Sequence, residues 1–381
     1  MPESIDPANG QTIARYEPHS LEAAREIVRS THASATAWAK VPVAERATLS
    51  DKTAGVLEDR KEELARLITL EMGKPITQSR AEIDKCAWVC RYYAENGPAF
   101  LADEPLESDG PRAFTAFQPI GAILAVMPWN FPFWQVFRFA APGLTAGNGA
   151  VLKHASNVTG CSLAIESVFR DAGYPEDLFR SLVLSSRDIG GLIADPHIEA
   201  ATLTGSETAG RAVAEAAGKA IKKTVLELGG SDPYLILEDA DLDLAAEKCA
   251  ASRLINSGQS CIAAKRFIVE RGIHAAFTEK LVRRMESRRM GNPMETDTGL
   301  GPQARKDLRD ELHDQVERSI RAGAVLLTGG QLPEGPGSFY PATVLDQVRP
   351  GMPAADEDLF GPVAAVLVAE DADAAVRMAN A

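Results

Sequence analysis

From Gly121 onward short apolar runs alternate with helical segments, and this alternation constrains the fold more than any other feature of the chain. The runs at 122–127, 150–152, 182–184, 201–204 and 225–228 are brief, aliphatic and bounded by turn-forming residues, as strands are. Between them, at 133–144, 157–171, 187–194 and 207–220, the spacing is helical and each segment starts near a polar residue or turn. Parallel strands require such crossovers, so this region predicts a doubly wound sheet. A second series predicts another α/β domain, with strands at 234–237, 267–269, 325–327 and 363–368 and helices at 242–256, 275–285 and 307–321. Upstream, 20–71 and 82–100 carry apolar positions at helical spacing among many charges, and turn formers at 103–111 break that pattern.

A chain of 381 residues is long enough for two or three domains and too long for a small disulfide scaffold. Its 53 acidic residues against 40 basic ones leave a formal charge of -13, the wrong sign for nucleic acid or anionic lipid. Five scattered cysteines build no disulfide framework and suit a reducing cytoplasm. The first residues, Met1-Pro2-Glu3-Ser4-Ile5-Asp6, lack the basic and apolar segments of a secretory signal. The uncharged stretch 113–137 is long enough to span a bilayer, but Pro119, Pro128 and Pro132 would each break a helix, so turns within a buried core are expected.

Four short segments carry candidate chemistry. Gly258-Gln259-Ser260-Cys261 sets a cysteine after a flexible turn and before small residues, which suits an accessible nucleophile, although an intracellular cysteine is commonly a buried hydrophobe. Glu227-Leu228-Gly229-Gly230 ends an apolar strand in a carboxylate, either a buried general base or a salt-bridge partner of Lys222 or Lys223. In Met127-Pro128-Trp129-Asn130-Phe131-Pro132, two prolines fix the backbone around an amide able to donate to an oxyanion. Gly205-Ser206, with Gly210, forms a strand-to-helix turn whose free amides would face an anion such as a pyrophosphate.

In this order and at these separations, with Lys153 on the strand after Asn130 and a late Leu359-Phe360-Gly361-Pro362, the segments resemble the aldehyde dehydrogenase superfamily along the whole chain. The resemblance implies two Rossmann-like domains: a cofactor domain from 1–101 and 119–229, and a catalytic domain from 230–381. It also implies an oligomerisation excursion at 102–118 and a homodimer or homotetramer for the full-length form. Family members continue beyond a position like Ala381. The resemblance therefore implies a missing C-terminal portion, and the 381-residue chain alone is expected to be poorly soluble and weakly active.

The roles transfer residue by residue. The resemblance makes Cys261 the nucleophile toward an aldehyde, Asn130 and the Cys261 amide the oxyanion donors, and Glu227 the base that activates water against the thioester. Trp129, Lys153, Ser156, Gly205, Ser206, Leu228, Gly229, Asp358 and Phe360 would contact NADP or NAD. Family members commonly have Glu where Ser156 stands, bonding both ribose hydroxyls; its replacement beside a retained lysine lifts a like-charge penalty on a 2′-phosphate and favours NADP. Asp358 is one methylene shorter than the family's ribose-binding Glu, so that contact either passes through water or weakens. Arg138, two helical turns after Asn130, stands where succinate-semialdehyde dehydrogenases receive the distal carboxylate. Ile255 replaces a second carboxylate-binding Arg of some such enzymes, which leaves glutarate semialdehyde, lactaldehyde and other small polar aldehydes open. A catalytically silent protein of this fold, acting by binding, is the rival reading.

Three other patterns do not support sites. Asp239, Asp241 and Asp243 begin like a calcium loop, but Leu244 and Ala250 occupy positions that need Gly and Glu, so helix capping is expected. Gly299-Leu300-Gly301-Pro302-Gln303-Ala304 matches a dinucleotide fingerprint without a preceding strand and reads as a loop. The six histidines show no metal-ligand spacing, and Cys86 and Cys90 share a helix face suited to packing, so no metal is expected.

Overall fold

In the computed structural model, which describes residues 1–381, the alternation after Gly121 builds a five-stranded parallel sheet. Its strands are β1 (Ala122–Met127), β2 (Gly149–His154), β3 (Phe179–Ser181), β4 (Ala200–Thr204) and β5 (Lys223–Glu227), in the order β3-β2-β1-β4-β5. Leu124 of β1 aligns with Val151 of β2 on one side and Ala201 of β4 on the other. Strand order reverses between β1 and β4, so the carboxyl ends of these two strands flank the switch point at which doubly wound sheets bind ligands. The central strands β1 and β2 are almost wholly buried, whereas β5 is outermost and mostly exposed.

One face of this sheet packs Leu124, Val151 and Leu203 against Ile27 and Val28 of the helix Leu21–Trp38. Elsewhere in this unit Phe169 stacks on Phe137 and lies tilted against Phe179, with ring centroids 5.1 and 4.5 Å apart. The third strand lies three residues before its expected place. Leu182 and Leu184 are apolar because they enter the core as the chain leaves the sheet.

The second sheet contains β6 (Pro233–Ile236), β7 (Arg266–Glu270), β8 (Val325–Thr328), β9 (Thr343–Asp346) and β10 (Val363–Ala369), in the order β6-β7-β10-β9-β8. Only the edge strand β8 runs antiparallel, against β9. Strand β9 has no counterpart in the sequence reading: polar Thr343 and Asp346 close its two ends and leave only Val344 and Leu345 to mark it. Helices Leu242–Leu254 and His274–Glu286 supply one apolar layer around Phe267 and Val366, and Lys306–Arg321 another around Ile268 and Leu367.

The chain divides into one unit of Met1–Ser4, Thr12–Ile68 and Ser79–Leu228, and another of Ile5–Gln11, Thr69–Gln78 and Gly229–Ala381. Residues 5–11 and 69–78 thus depart from the expected assignment of 1–101 to the first domain. Backbone contacts explain the difference: Ser338 N donates to Pro7 O and Ile76 N to Pro293 O, each at 2.8 Å. A Cβ on Gly301 would lie 2.2 Å from Gly73 O, so glycine at 301 permits that approach. Within 102–118, Glu104–Pro105 pairs antiparallel with Phe114–Thr115. The stretch 113–137 is broken into strand, turn and helix, and no helix is long and apolar enough to cross a membrane.

Candidate active site

The first unit gathers its candidate residues at the carboxyl ends of its strands. After β1 the chain turns through Pro128, Trp129 and Asn130, with Asn130 buried, before helix α1 (Trp134–Thr145) begins. Two side chains unremarked in the sequence hold this turn. Buried Glu82 accepts hydrogen bonds from the Phe133 and Trp134 amides, both 2.9 Å, which satisfies two donors at the helix N-terminus. His154 Nε2 donates to Pro132 O at 2.9 Å while Nδ1 accepts from the Ala155 amide at 2.9 Å. Those roles require a neutral ring, and burial lowers its pKa to about 4.

Lys153, one residue earlier on β2, is buried and forms no ion pair; its ammonium donates to Ser186 Oγ at 2.9 Å, and burial lowers its pKa. A buried cation served by a hydroxyl rather than a carboxylate fits an incoming phosphate. Ser156 is exposed at the start of the turn after β2. The expectation of free amides at Gly205-Ser206 needs correction at Gly205 alone. Gly205 N donates to Glu227 O at 3.0 Å, and Ser206 Oγ caps the helix Glu207–Lys219 by accepting from Ala209 N. Gly210 lies in that helix against Leu228, whose Cδ2 would be 2.6 Å from an added Cβ.

Arg138 on α1 reaches the end of β5. Its Nη1 is 3.3 Å from Glu227 Oε2 and its Nη2 donates to Thr204 Oγ1 at 3.1 Å. Glu227 is exposed rather than buried as expected, because β5 is the outer strand of its sheet. Both side chains line a cleft of about 540 Å³ whose wall is mainly apolar, with Met127, Phe139 and Val225 among the lining residues. The candidate carboxylate receptor and the candidate base therefore share one surface.

In the second unit Cys261 is the one partly exposed cysteine of five free thiols. Asn256, Ser257 and Gly258 before it have φ of 51°, 54° and 79°, a left-handed run unfavourable for the two non-glycine residues. Asn256 Nδ2 donates to Gln259 O at 3.0 Å, and Ser257 Oγ accepts from Gly301 N at 2.9 Å, which stabilises the run. Gly258 packs directly on the Phe360-Gly361-Pro362 segment: a Cβ there would fall 2.1 Å from Gly361 C.

Asp358, expected at the nicotinamide ribose, has Oδ1 2.8 Å from Lys265 Nζ, off the hydrogen-bonding direction, so that pairing is electrostatic. Its Oδ2 would be 2.9 Å from a Cβ on Gly229, which places the carboxylate against the Gly-Gly turn. Lys265 is buried, donates to Gly230 O and, at 3.4 Å, to Cys261 O, and lies 5.7 Å from the Phe360 ring centroid. Neighbouring Glu357 turns away to a two-pronged pair with Arg318, at 2.7 and 2.8 Å. Asp241 caps its helix by accepting from the Asp243 and Leu244 amides.

A model described as the aldehyde dehydrogenase family matches residues 2–381. The chain is 47% identical over 380 residues to a probable NADP(+) succinate-semialdehyde dehydrogenase of Synechocystis, covering 99% of this chain and 83% of that one. It is also 47% identical to an NAD(P)+ succinate semialdehyde dehydrogenase of Escherichia coli, over 99% of this chain and 82% of the relative. The succinic semialdehyde dehydrogenase of Streptococcus pyogenes, solved with NADP+, superposes with a TM-score of 0.97 at 33% identity, covering all of this chain and 84% of that one. A family match spanning the chain, together with identity at this level, establishes that the protein belongs to the aldehyde dehydrogenase family.

Proposed function

We propose that the protein oxidises succinate semialdehyde to succinate with NADP, and with NAD as a second acceptor. Arg138 carries this reading: it puts a guanidinium beside the carboxylate expected to act as base, in a cleft otherwise mainly apolar. Succinate semialdehyde can offer a carboxylate to that guanidinium while presenting its aldehyde elsewhere. Two relatives at 47% identity carry the same activity in their names.

In this mechanism the Cys261 thiolate adds to the aldehyde carbon, and the Asn130 amide and the Cys261 N–H hold the resulting oxyanion. The hydride that leaves this carbon would pass to a bound NADP. Glu227 then takes a proton from water, which displaces the acyl group from sulfur and releases succinate. Lys153, with Ser186 and Ser156, would receive the 2′-phosphate, and Trp129, Gly205, Ser206, Leu228, Gly229, Asp358 and Phe360 would enclose the cofactor. Exposed Leu106, Phe114 and Phe117 support assigning 102–118 to a homo-oligomer contact, and five free thiols support a reducing cytoplasm.

Glutarate semialdehyde or lactaldehyde is the second reading, favoured by Ile255 where another arginine could serve and by the sharing of Arg138 with Glu227. A panel of these aldehydes and butyraldehyde, assayed with NAD and NADP, separates the two. Arg138→Leu is expected to lower kcat/KM for succinate semialdehyde about tenfold, or ~1.4 kcal/mol for a partly exposed contact, and to spare butyraldehyde. Equal losses on both substrates would refute the assignment.

A further inference from the structure

The cleft that holds Arg138 and Glu227 is longer than a four-carbon aldehyde needs. It runs over one face of the first sheet, with Thr204 and Glu227 at the carboxyl ends of their strands and Ala200 and Lys223 at the amino ends. Helix α1 forms the other wall and spans the same height, because the chain after it returns to the foot of β1, where Gly149 N donates to Gly121 O. From Glu227 to Lys223 along β5 is ~13 Å at the rise of a strand. From Arg138 to Ala146, the C-cap of α1, is ~12 Å at the rise of a helix. The two walls give one groove of the same length.

Its middle is apolar, lined by Ile123, Phe139, Pro142 and Val225, and Val225 is exposed. The charges stand at the ends and differ in state. Arg138 is already engaged by Glu227 and by Thr204 Oγ1. Lys223 is exposed and forms no ion pair. A free cation at the mouth of an apolar groove complements an amphiphile with one negative end. An extended chain advances roughly 1.2 Å per bond, so about ten atoms fill the distance between the two ends. We propose that this groove binds a medium-chain carboxylate of about ten carbons, its head on Lys223 and its tail along α1 toward Arg138. The last carbons of the tail would lie where the substrate carboxylate is proposed to sit. On that reading the ligand is also an inhibitor, while binding itself does not depend on it.

Calorimetric titration of the whole chain with butyrate, hexanoate, octanoate and decanoate provides the test. Affinity should rise roughly two- to threefold per added methylene, less than for full burial because the groove is open on one side. The heat capacity change should grow more negative along the series. Gly143 lines the groove, and a Cβ there would meet only Phe139, at 3.6 Å, an ordinary contact. Gly143→Leu therefore fills the apolar middle and also favours the helix that carries it, so loss of fold is not its expected effect. It should weaken decanoate and decan-1-ol at least tenfold and leave butyrate unchanged. Lys223→Met should weaken decanoate about threefold and leave decan-1-ol unchanged.

Affinity that does not change from butyrate to decanoate would overturn the proposal. So would parental decanoate binding in Gly143→Leu, which is the mark of unspecific adsorption. Absence of decanoate heat together with a self-association that Gly143→Leu abolishes in size-exclusion chromatography would assign the groove to a second copy of the chain and overturn it as well. Because binding is read without turnover, failure here leaves the dehydrogenase reading to its own test, the aldehyde panel with Arg138→Leu.

Discussion

Acid should loosen the first unit through one ring, that of His154. Its two hydrogen bonds, from Nε2 to Pro132 O and from the Ala155 amide to Nδ1, exist together only in the neutral form. Burial holds its pKa at about 4 against 6.5 for a free imidazole. Unfolded chains therefore bind a proton that the folded protein refuses between those two values. The stability is fully present above pH 6.5, declines as pH falls, and is lost once pH passes about 4. The displacement is worth about 3 kcal/mol at its limit. All four tryptophans, Trp38, Trp88, Trp129 and Trp134, lie in the first unit, so their fluorescence tracks its unfolding in urea separately from the second unit. His154→Gln can still donate to Pro132 O but cannot titrate. Its urea midpoint should fall less than the parent's between neutral and mildly acidic pH, while carboxylates and half-buried His19, whose pKa burial also lowers, act equally in both proteins. Parallel midpoints across that range would show that His154 titrates normally and that burial does not hold its ring neutral.

Cys261→Ala should abolish NADPH formation, while Glu227→Gln should give a single burst and then stall at the thioester; steady turnover near the parental rate in Glu227→Gln would mean that another group activates water. Ser156→Glu would set a carboxylate against the 2′-phosphate of NADP, so the NADP to NAD ratio of kcat/KM should fall; an unchanged ratio would remove Ser156 from the ribose pocket. Glu82→Ala leaves one buried and one half-buried amide without their acceptor, and the urea midpoint of the first unit should drop by the equivalent of about 1–3 kcal/mol. A stability equal to the parent's would show that Glu82 does not hold the turn.

Much of the architecture is legible because burial on two faces writes long apolar runs into central strands. Strands β1 and β10 lie inside their sheets and stand out in the sequence as 122–127 and 363–368. Short or peripheral elements carry no such mark. Leu182 and Leu184 are as apolar as a strand because the core needs them, yet Ser181 is the last residue paired in the sheet and the Leu182 amide makes the final bond, to Leu152 O. Residues 5–11 and 69–78 join the second unit through a few backbone bonds and glycine approaches, and no period or composition records such contacts. Domain membership there depends on contacts between segments distant along the chain.

The candidate site divides along the same physical line. Residues meant to react occupy conspicuous settings, a cysteine after Gly-Gln-Ser, an amide between prolines, a carboxylate before Gly-Gly, because backbone shape must be unusual where a side chain is to be presented. The groups that hold them obey no such rule. Glu82 sits within the helix Ile76–Phe100, His154 at the end of a buried strand and Lys265 just before another, and each looks ordinary until its partner is known. Asp358 is a position whose meaning depends on its partners. By motif it belongs to the ribose, whereas Lys265 Nζ stands 2.8 Å from its carboxylate and Gly229 lies against the other oxygen. A side chain one methylene shorter than Glu keeps its charge nearer the backbone that carries it, which suits contact with a buried ammonium. Shortening at 358 and a lysine at 265 thus work as one feature, and the pair is visible only after folding has brought two segments of the second unit together.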